Sequence, residues 1–220
     1  MHTPAIAVVI PVYNASRFIN ESIDSVRAQT TSQWECMIVD DGSTDETPSR
    51  LAAYRDPRIR WIRRANIGDC AVRARGVSLT RAPKIVCLDA DDRLYPDAPA
   101  RCVSFLDKHI AAGVAYGERT LINEGGDPFG LEWRAVLNKH PQGDVLESIL
   151  RCPFLSTPSR ACLRREVVPR GVVRRPEPFG RLALACRRCD KPQIRLHRAS
   201  PIGQISRASE QGDAEYCKRV

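Results

Sequence analysis

The chain has 220 residues, enough for one large domain or one domain with an appendage, and its 43% hydrophobic content allows a sizeable core. The longest apolar runs, such as AIAVVIPV at Ala5 to Val12, are too short to span a bilayer, and no basic stretch followed by an apolar one opens the chain, so it reads as soluble and cytoplasmic. Nine scattered cysteines without a secretory signal read as reduced residues, which disfavours a disulfide framework, and the net charge of +8 is unevenly placed: residues 1–150 hold 18 Lys+Arg against 20 Asp+Glu, residues 151–220 hold 16 against 6.

In chain order, AIAVVIPVY is a β-branched run suited to a strand buried on both faces. Ser16 is placed to cap a helix in which Phe18, Ile19, Ile23 and Val26 follow at helical spacing. WECMIVD predicts a second strand, and Thr44 or Asp45 is placed to cap the helix after DDGS. RIRWIRR alternates as a third strand, NIGDCAVRARGVSL reads as a loop and helix, and KIVCLD reads as a fourth strand. Beyond Pro96 the pattern gives a helix at PARCVSFLDKHIAA, a strand at GVAYGERTLI, a glycine-rich loop at NEGGDPFG and a short helix at GDVLESILR. After about Val168 the periodicity fails, and an irregular basic tail rich in Arg, Pro, Gly and Ser follows.

Four strands alternating with helices imply an α/β fold with a doubly wound, mostly parallel sheet and flanking helices, in which ligands bind outside the carboxyl ends of the strands. Asn14, Asp40 and Asp41, Asn66, and Asp89 to Asp92 each follow a strand, so they are expected to meet at one crevice. Asp89, Asp91 and Asp92 within four positions repel one another unless a cation lies between them, and a hard divalent ion such as Mg²⁺ or Mn²⁺ suits such a carboxylate cluster. An acidic turn left to solvent is the plainer alternative, and a solvated helix face is the plainer alternative for Arg73.

VVIPVYNASRFINESIDSVRAQT, WECMIVDDGSTDET, NIGDCAVRARG and IVCLDADDRLYPD resemble, in order and spacing, the donor-binding half of family 2 glycosyltransferases with the GT-A fold, over residues 5–120. A weaker echo runs through CPFLSTPSRACLRREVV. The resemblance implies a nucleotide-diphospho-sugar donor, with LDADD as the family's Asp-X-Asp motif and the metal on Asp89, Asp91 and Asp92. It implies further that Asp41 binds the nucleotide base, that Pro11 and Tyr13 line its pocket beside Asn14, and that Asn66, Gly68 and Arg73 border the donor. Ala74 departs from the Asn usual in the family at that position.

Three regions are expected: a nucleotide-sugar-binding GT-A half at 1–120, a partial acceptor-side region at 121–168, and a basic, low-order tail at 169–220. The family's transfer is expected to invert the sugar carbon and needs a carboxylate base, yet Glu177, Asp190, Glu210, Asp213 and Glu215 stand in no family-like setting, so no catalytic base is assigned. A reading-frame change would explain both the missing signature and the basicity: codons permitted for GVVRRPEPFGRLAL, read one nucleotide later, can spell Gly-Ser-Phe-Asp-Asp-Pro-Ser-Leu-Ser-Gly-Asp-Trp-His, and the gene sequence decides it. A catalytically inactive donor-binding protein is the alternative; a nucleotidyltransferase is disfavoured because PVYNASRF lacks a glycine-rich basic loop. A saccharide, lipid-linked or protein acceptor fits equally. Contact with the cytoplasmic membrane face is open to the basic tail, whereas nucleic acid is disfavoured because no aromatic residues interleave its arginines. Cys186 and Cys189 give half of a zinc-site spacing without a second pair.

Overall fold

The computed structural model describes residues 3–117, 119–128, 143–144, 158–168, 195–198 and 204–207. The strands are β1 (Ile6–Val12), β2 (Trp34–Asp40), β3 (Ile59–Arg63), β4 (Lys84–Cys87), β5 (Arg93–Leu94), β6 (Ala112–Tyr116), β7 (Arg119–Ile122), β8 (Gly143–Asp144), β9 (Ala161–Arg164), β10 (Arg195–Arg198) and β11 (Gln204–Arg207). The helices are α1 (Ile19–Arg27), α2 (Thr47–Ala52), α3 (Asp69–Ser78) and α4 (Ala98–Lys108). The larger sheet has the order β3-β2-β1-β4-β9-β6-β10-β8, and β5-β11-β7 form a smaller one. β3, β2, β1 and β4 run parallel, and β9 enters antiparallel between β4 and β6. This is the doubly wound, mostly parallel architecture that the sequence predicts.

β1 and β2 are buried along their whole length, as strands covered on both faces must be. From β1, Ile6, Val8, Ile10 and Val12 pack with Ile19, Ile23 and Val26 of α1, Leu51 of α2 and Leu106 of α4. Ala7 and Val9 turn to the opposite face, where Val77 of α3 joins them. Each such aliphatic side chain contributes about 1.5–3 kcal/mol by leaving water. Gly76 lets α3 lie close to the sheet, since a Cβ there would sit 2.3 Å from Val9 Cγ1.

Pro11 lies in the central strand, where a missing N–H normally breaks a ladder. β4 accompanies β1 only from Ile6 to Val9, so at Pro11 the neighbouring strand is β2 alone. The proline therefore marks where the sheet opens.

Residues 158–168 close the fold from downstream. Arg164 donates from Nε to Ala112 O at 2.8 Å and also reaches Leu106 O at the end of α4. Arg165 donates to Ala82 O at 2.7 Å, Val77 O at 3.0 Å and Thr80 Oγ1 at 2.8 Å around the end of α3. Basic groups on helix-terminal carbonyls fill the acceptors that a helix leaves unpaired.

Some local expectations are corrected. α1 begins at Ile19 with Phe18 at its N-cap and no side-chain cap bond, so Ser16 lies too early in the chain to cap it; the Ser16 N–H donates instead to Asp45 Oδ2 at 3.0 Å. The strand expected over GVAYGERTLI divides into β6 and β7, which belong to different sheets. Gly143 and Asp144, expected to open a helix, are extended and pair with β10; the rest of that segment lies outside the described residues. Beyond Val168 the described residues are the two short strands β10 and β11, so the reading of 169–220 as a low-order tail, the zinc half-site and the acidic residues considered for a base lie outside them. No helix among the described residues is long and apolar enough to cross a membrane.

Candidate functional site

The parallel strands β1, β2 and β4 end at one edge of the sheet, and the loops that follow them are tied together there. Asn14, after β1, adopts φ 49°, a left-handed conformation that Asn tolerates better than most residues. Its N–H donates to Ser43 Oγ at 2.9 Å, and its Oδ1 accepts from the Thr44 N–H at 2.8 Å. Asp45 Oδ1 accepts from the Thr47 N–H at 2.9 Å, but the N-cap of α2 is Glu46 and carries no side-chain cap bond, so neither Thr44 nor Asp45 is the cap expected from the sequence. Burial pushes the Asp45 carboxyl upward, but the bonds from Thr47 and Ser16 outweigh that and hold it well below the usual carboxylate range.

Asp40 and Asp41 at the end of β2 are both buried. Asp40 Oδ1 accepts from the Ser43 N–H at 2.9 Å, and its Oδ2 lies 3.4 Å from Arg63 Nε. Asp41 Oδ1 and Oδ2 accept from the N–H groups of Ile67 at 2.8 Å and Gly68 at 3.0 Å. Asp41 is thus a latch on the 66–68 loop. Gly68 has φ 87° with nothing within 4 Å of where a Cβ would be, so its backbone conformation, and no packing demand, calls for glycine. Tyr13 is half exposed and Asn66 is exposed.

Arg73 is only 4% exposed, which overturns the solvated-helix alternative. Its Nη2 lies 2.6 Å from Asp89 Oδ1, and its Nη1 bonds Asp69, one turn earlier on α3. Burial opposes the guanidinium charge, yet Asp89 and Asp69 outweigh that and hold its pKa above the ordinary arginine value.

The three carboxylates after β4 have different surroundings. Asp89 faces Arg73; Asp92 is 3% exposed, and its Oδ2 accepts from Ser159 Oγ at 2.7 Å; Asp91 is exposed. Part of the repulsion is therefore relieved by protein groups. Among the described residues, no group of three or more His, Cys, Asp or Glu side chains is gathered to hold a metal ion by itself. A Mg²⁺-like ion is often held by one or two carboxylates plus substrate phosphates, and Asp91 with Asp89 fits that mode better than all three carboxylates do.

Sequence reasoning missed the groups that support this turn. Ser22 of α1 donates to Ala90 O at 2.8 Å or Asp92 O at 2.5 Å, Ser25 Oγ accepts from the Leu94 N–H at 3.1 Å, and Gln29 Nε2 donates to Tyr95 O at 3.0 Å. Ser22 and Ser25, at i and i+3, are a polar stripe on the otherwise apolar inner face of α1, and Gln29 follows just past the helix end; that signal was readable.

Comparison with known proteins places this geometry. The pattern described as glycosyl transferase family 2 matches residues 7–168. The uncharacterized glycosyltransferase EpsJ of Bacillus subtilis (strain 168) is 38% identical over 171 residues, covering 76% of this chain and 50% of its own. The chondroitin synthase of Escherichia coli is 34% identical over 126 residues, covering 56% of this chain and 18% of its own. Among solved structures, residues 1–349 of S. aureus TarS in complex with UDP-GlcNAc superpose with a TM-score of 0.68 at 16% identity, over 94% of this chain and 59% of that one. The chain thus spans half or less of the length of these two curated relatives.

Proposed function

Since the chain belongs to glycosyl transferase family 2, we propose that it takes a nucleotide-diphospho-sugar and transfers the glycosyl unit, with inversion, to a saccharide, lipid-linked or protein acceptor. The observation that carries this reading is the meeting of three loops at the carboxyl edge of the parallel strands: Asn14 with Thr44, Asp41 with Gly68, and Arg73 with Asp89. The nucleotide lies along Pro11, Tyr13, Asn14 and the 66–68 loop. Asp41 holds that loop, and each of its oxygens keeps a second lone pair for a base N–H. The diphosphate lies towards Asp89 and Asp91, which hold Mg²⁺ or Mn²⁺ with Asp92 in support. When bound, the ion supplies Lewis-acid neutralisation of the departing diphosphate, worth several kcal/mol in comparable sites. Arg73 fixes Asp89 before the ion arrives, so the site needs no rearrangement there. We place the activity in the cytoplasm, with the membrane face as one possible setting for a lipid-linked acceptor.

The match to the family stops at residue 168, and that stop motivates a second reading: a protein that binds the donor without transferring its sugar. Calorimetry of the full chain with UDP and Mn²⁺ tests the donor site. The ion should strengthen UDP binding, and that gain should fall at least about tenfold in Asp91→Ala. Unchanged metal-dependent binding in that variant would show the assignment of Asp91 to be wrong. Binding of a UDP-sugar panel with neither hydrolysis nor transfer selects the second reading.

A further inference from the structure

Ser159 lies about seventy residues downstream of the acidic turn, on the 3-10 turn Pro158–Arg160 that leads into β9. It is 5% exposed and makes two contacts with that turn. Its Oγ accepts from the Asp89 N–H at 3.0 Å and donates to Asp92 Oδ2 at 2.7 Å. One hydroxyl, with one hydrogen and two lone pairs, therefore joins the first and last residues of Asp-Ala-Asp-Asp. The turn is closed internally by the Asp92 N–H on Asp89 O at 3.0 Å. From the other side, the fully buried Ser22 hydroxyl reaches the carbonyls of Ala90 and Asp92. Asp91 is the exposed residue between these two anchors.

We propose that Ser159, with Ser22 opposite it, is a positioning residue that sets the direction in which Asp91 presents its carboxylate to the donor's metal ion. The 158–160 segment then belongs to the donor site, although it lies outside the stretch of 5–120 whose motifs identify that site. Ser159 itself is fixed by β9, which is held between β4 and β6 and anchored through Arg164 and Arg165. Removing the hydroxyl leaves the Asp89 N–H and the buried Asp92 carboxylate each without this partner, and the turn is free to rotate away.

This inference rests on the reading of Asp91 as the ion's ligand, and the test separates the two. Mn²⁺ is titrated into the full chain with saturating UDP, and UDP is titrated without metal, for the wild type, Ser159→Ala, Ser159→Thr and Asp91→Ala, each shown to be folded by its thermal melt. Ser159→Ala should weaken Mn²⁺ binding about tenfold to a hundredfold, the range for groups that orient metal ligands, while metal-free UDP affinity stays within about twofold. Ser159→Thr, which keeps the hydroxyl, should restore most of the loss. A general loss of structure would lower both affinities together, so the split identifies a positioning role. If Ser159→Ala does not fold, Ser22→Ala should give the same split. An unchanged Mn²⁺ affinity in the folded serine variant, with Asp91→Ala still defective, overturns the role of Ser159 and leaves the donor site standing. A wild type without metal dependence overturns both.

Discussion

Replacing Arg73 with leucine keeps most of the buried stem but removes the charge partner that Asp89 has among the described residues, Asp89 being just 17% exposed. Breaking a fully buried ion pair by deleting one member costs about 3–5 kcal/mol, because the remaining charge is left uncompensated. Asp89 keeps some access to water, and the second partner, Asp69, has a side chain 49% exposed, so screening leaves little from that contact. The expected loss is therefore about 2–3 kcal/mol. Urea unfolding followed by tryptophan fluorescence measures it, Trp34 being buried at 2% exposure. The contact itself is isolated by a double-mutant cycle with Asp89→Asn: once both charges are gone, the second substitution should cost about 1–2 kcal/mol less than it does alone. A coupling below about 0.5 kcal/mol would refute the claim that Arg73 supplies the charge that Asp89 needs.

Two other stability predictions rest on local geometry. Gly76→Ala should destabilise by about 1–2 kcal/mol despite alanine's better helix propensity, since the added Cβ meets Val9 Cγ1 at 2.3 Å; chemical unfolding that shows a gain would mean α3 has room to move. The Asp56 carboxyl lies below its ordinary value chiefly because Arg58 donates to it, so its contribution is present above about pH 4 and is lost as pH falls through the folded-state value. Unfolding free energy should decline below about pH 4, and Asp56→Asn should flatten that decline; an unchanged slope in the variant would assign the acid sensitivity elsewhere.

The elements that the sequence predicts well are those with a local cause. β1 and β2 are continuous apolar runs that only a strand covered on both faces can satisfy, and α1 and α4 carry an apolar stripe at helical spacing. β9 has no such cause. ACLR is four residues long and holds one fully buried side chain, Cys162, and its conformation comes from a slot between β4 and β6 that exists only once both are folded. The same division explains the site. The positions of Asn14, Asp41 and Asp89 at the strand ends are legible from sequence because each follows a strand. Arg73 shares α3 with Arg75, and helical spacing alone does not tell which arginine turns inward to meet Asp89; Arg73 is singled out only by the resemblance of NIGDCAVRARG.

The acidic turn also shows why charge patterns alone assign ligands too generously. Three adjacent carboxylates were expected to need one cation, but the chain supplies a guanidinium to Asp89 and a hydroxyl to Asp92, and both partners are themselves buried. Buried polar groups must be satisfied where they lie, so Arg73 and Ser159 are there for the fold as well as for any ligand. Asp91 is the one acidic side chain of the three that lies exposed. An ion entering with its diphosphate would therefore meet a turn whose flanking carboxylates are already oriented, with Asp91 the most exposed of the three.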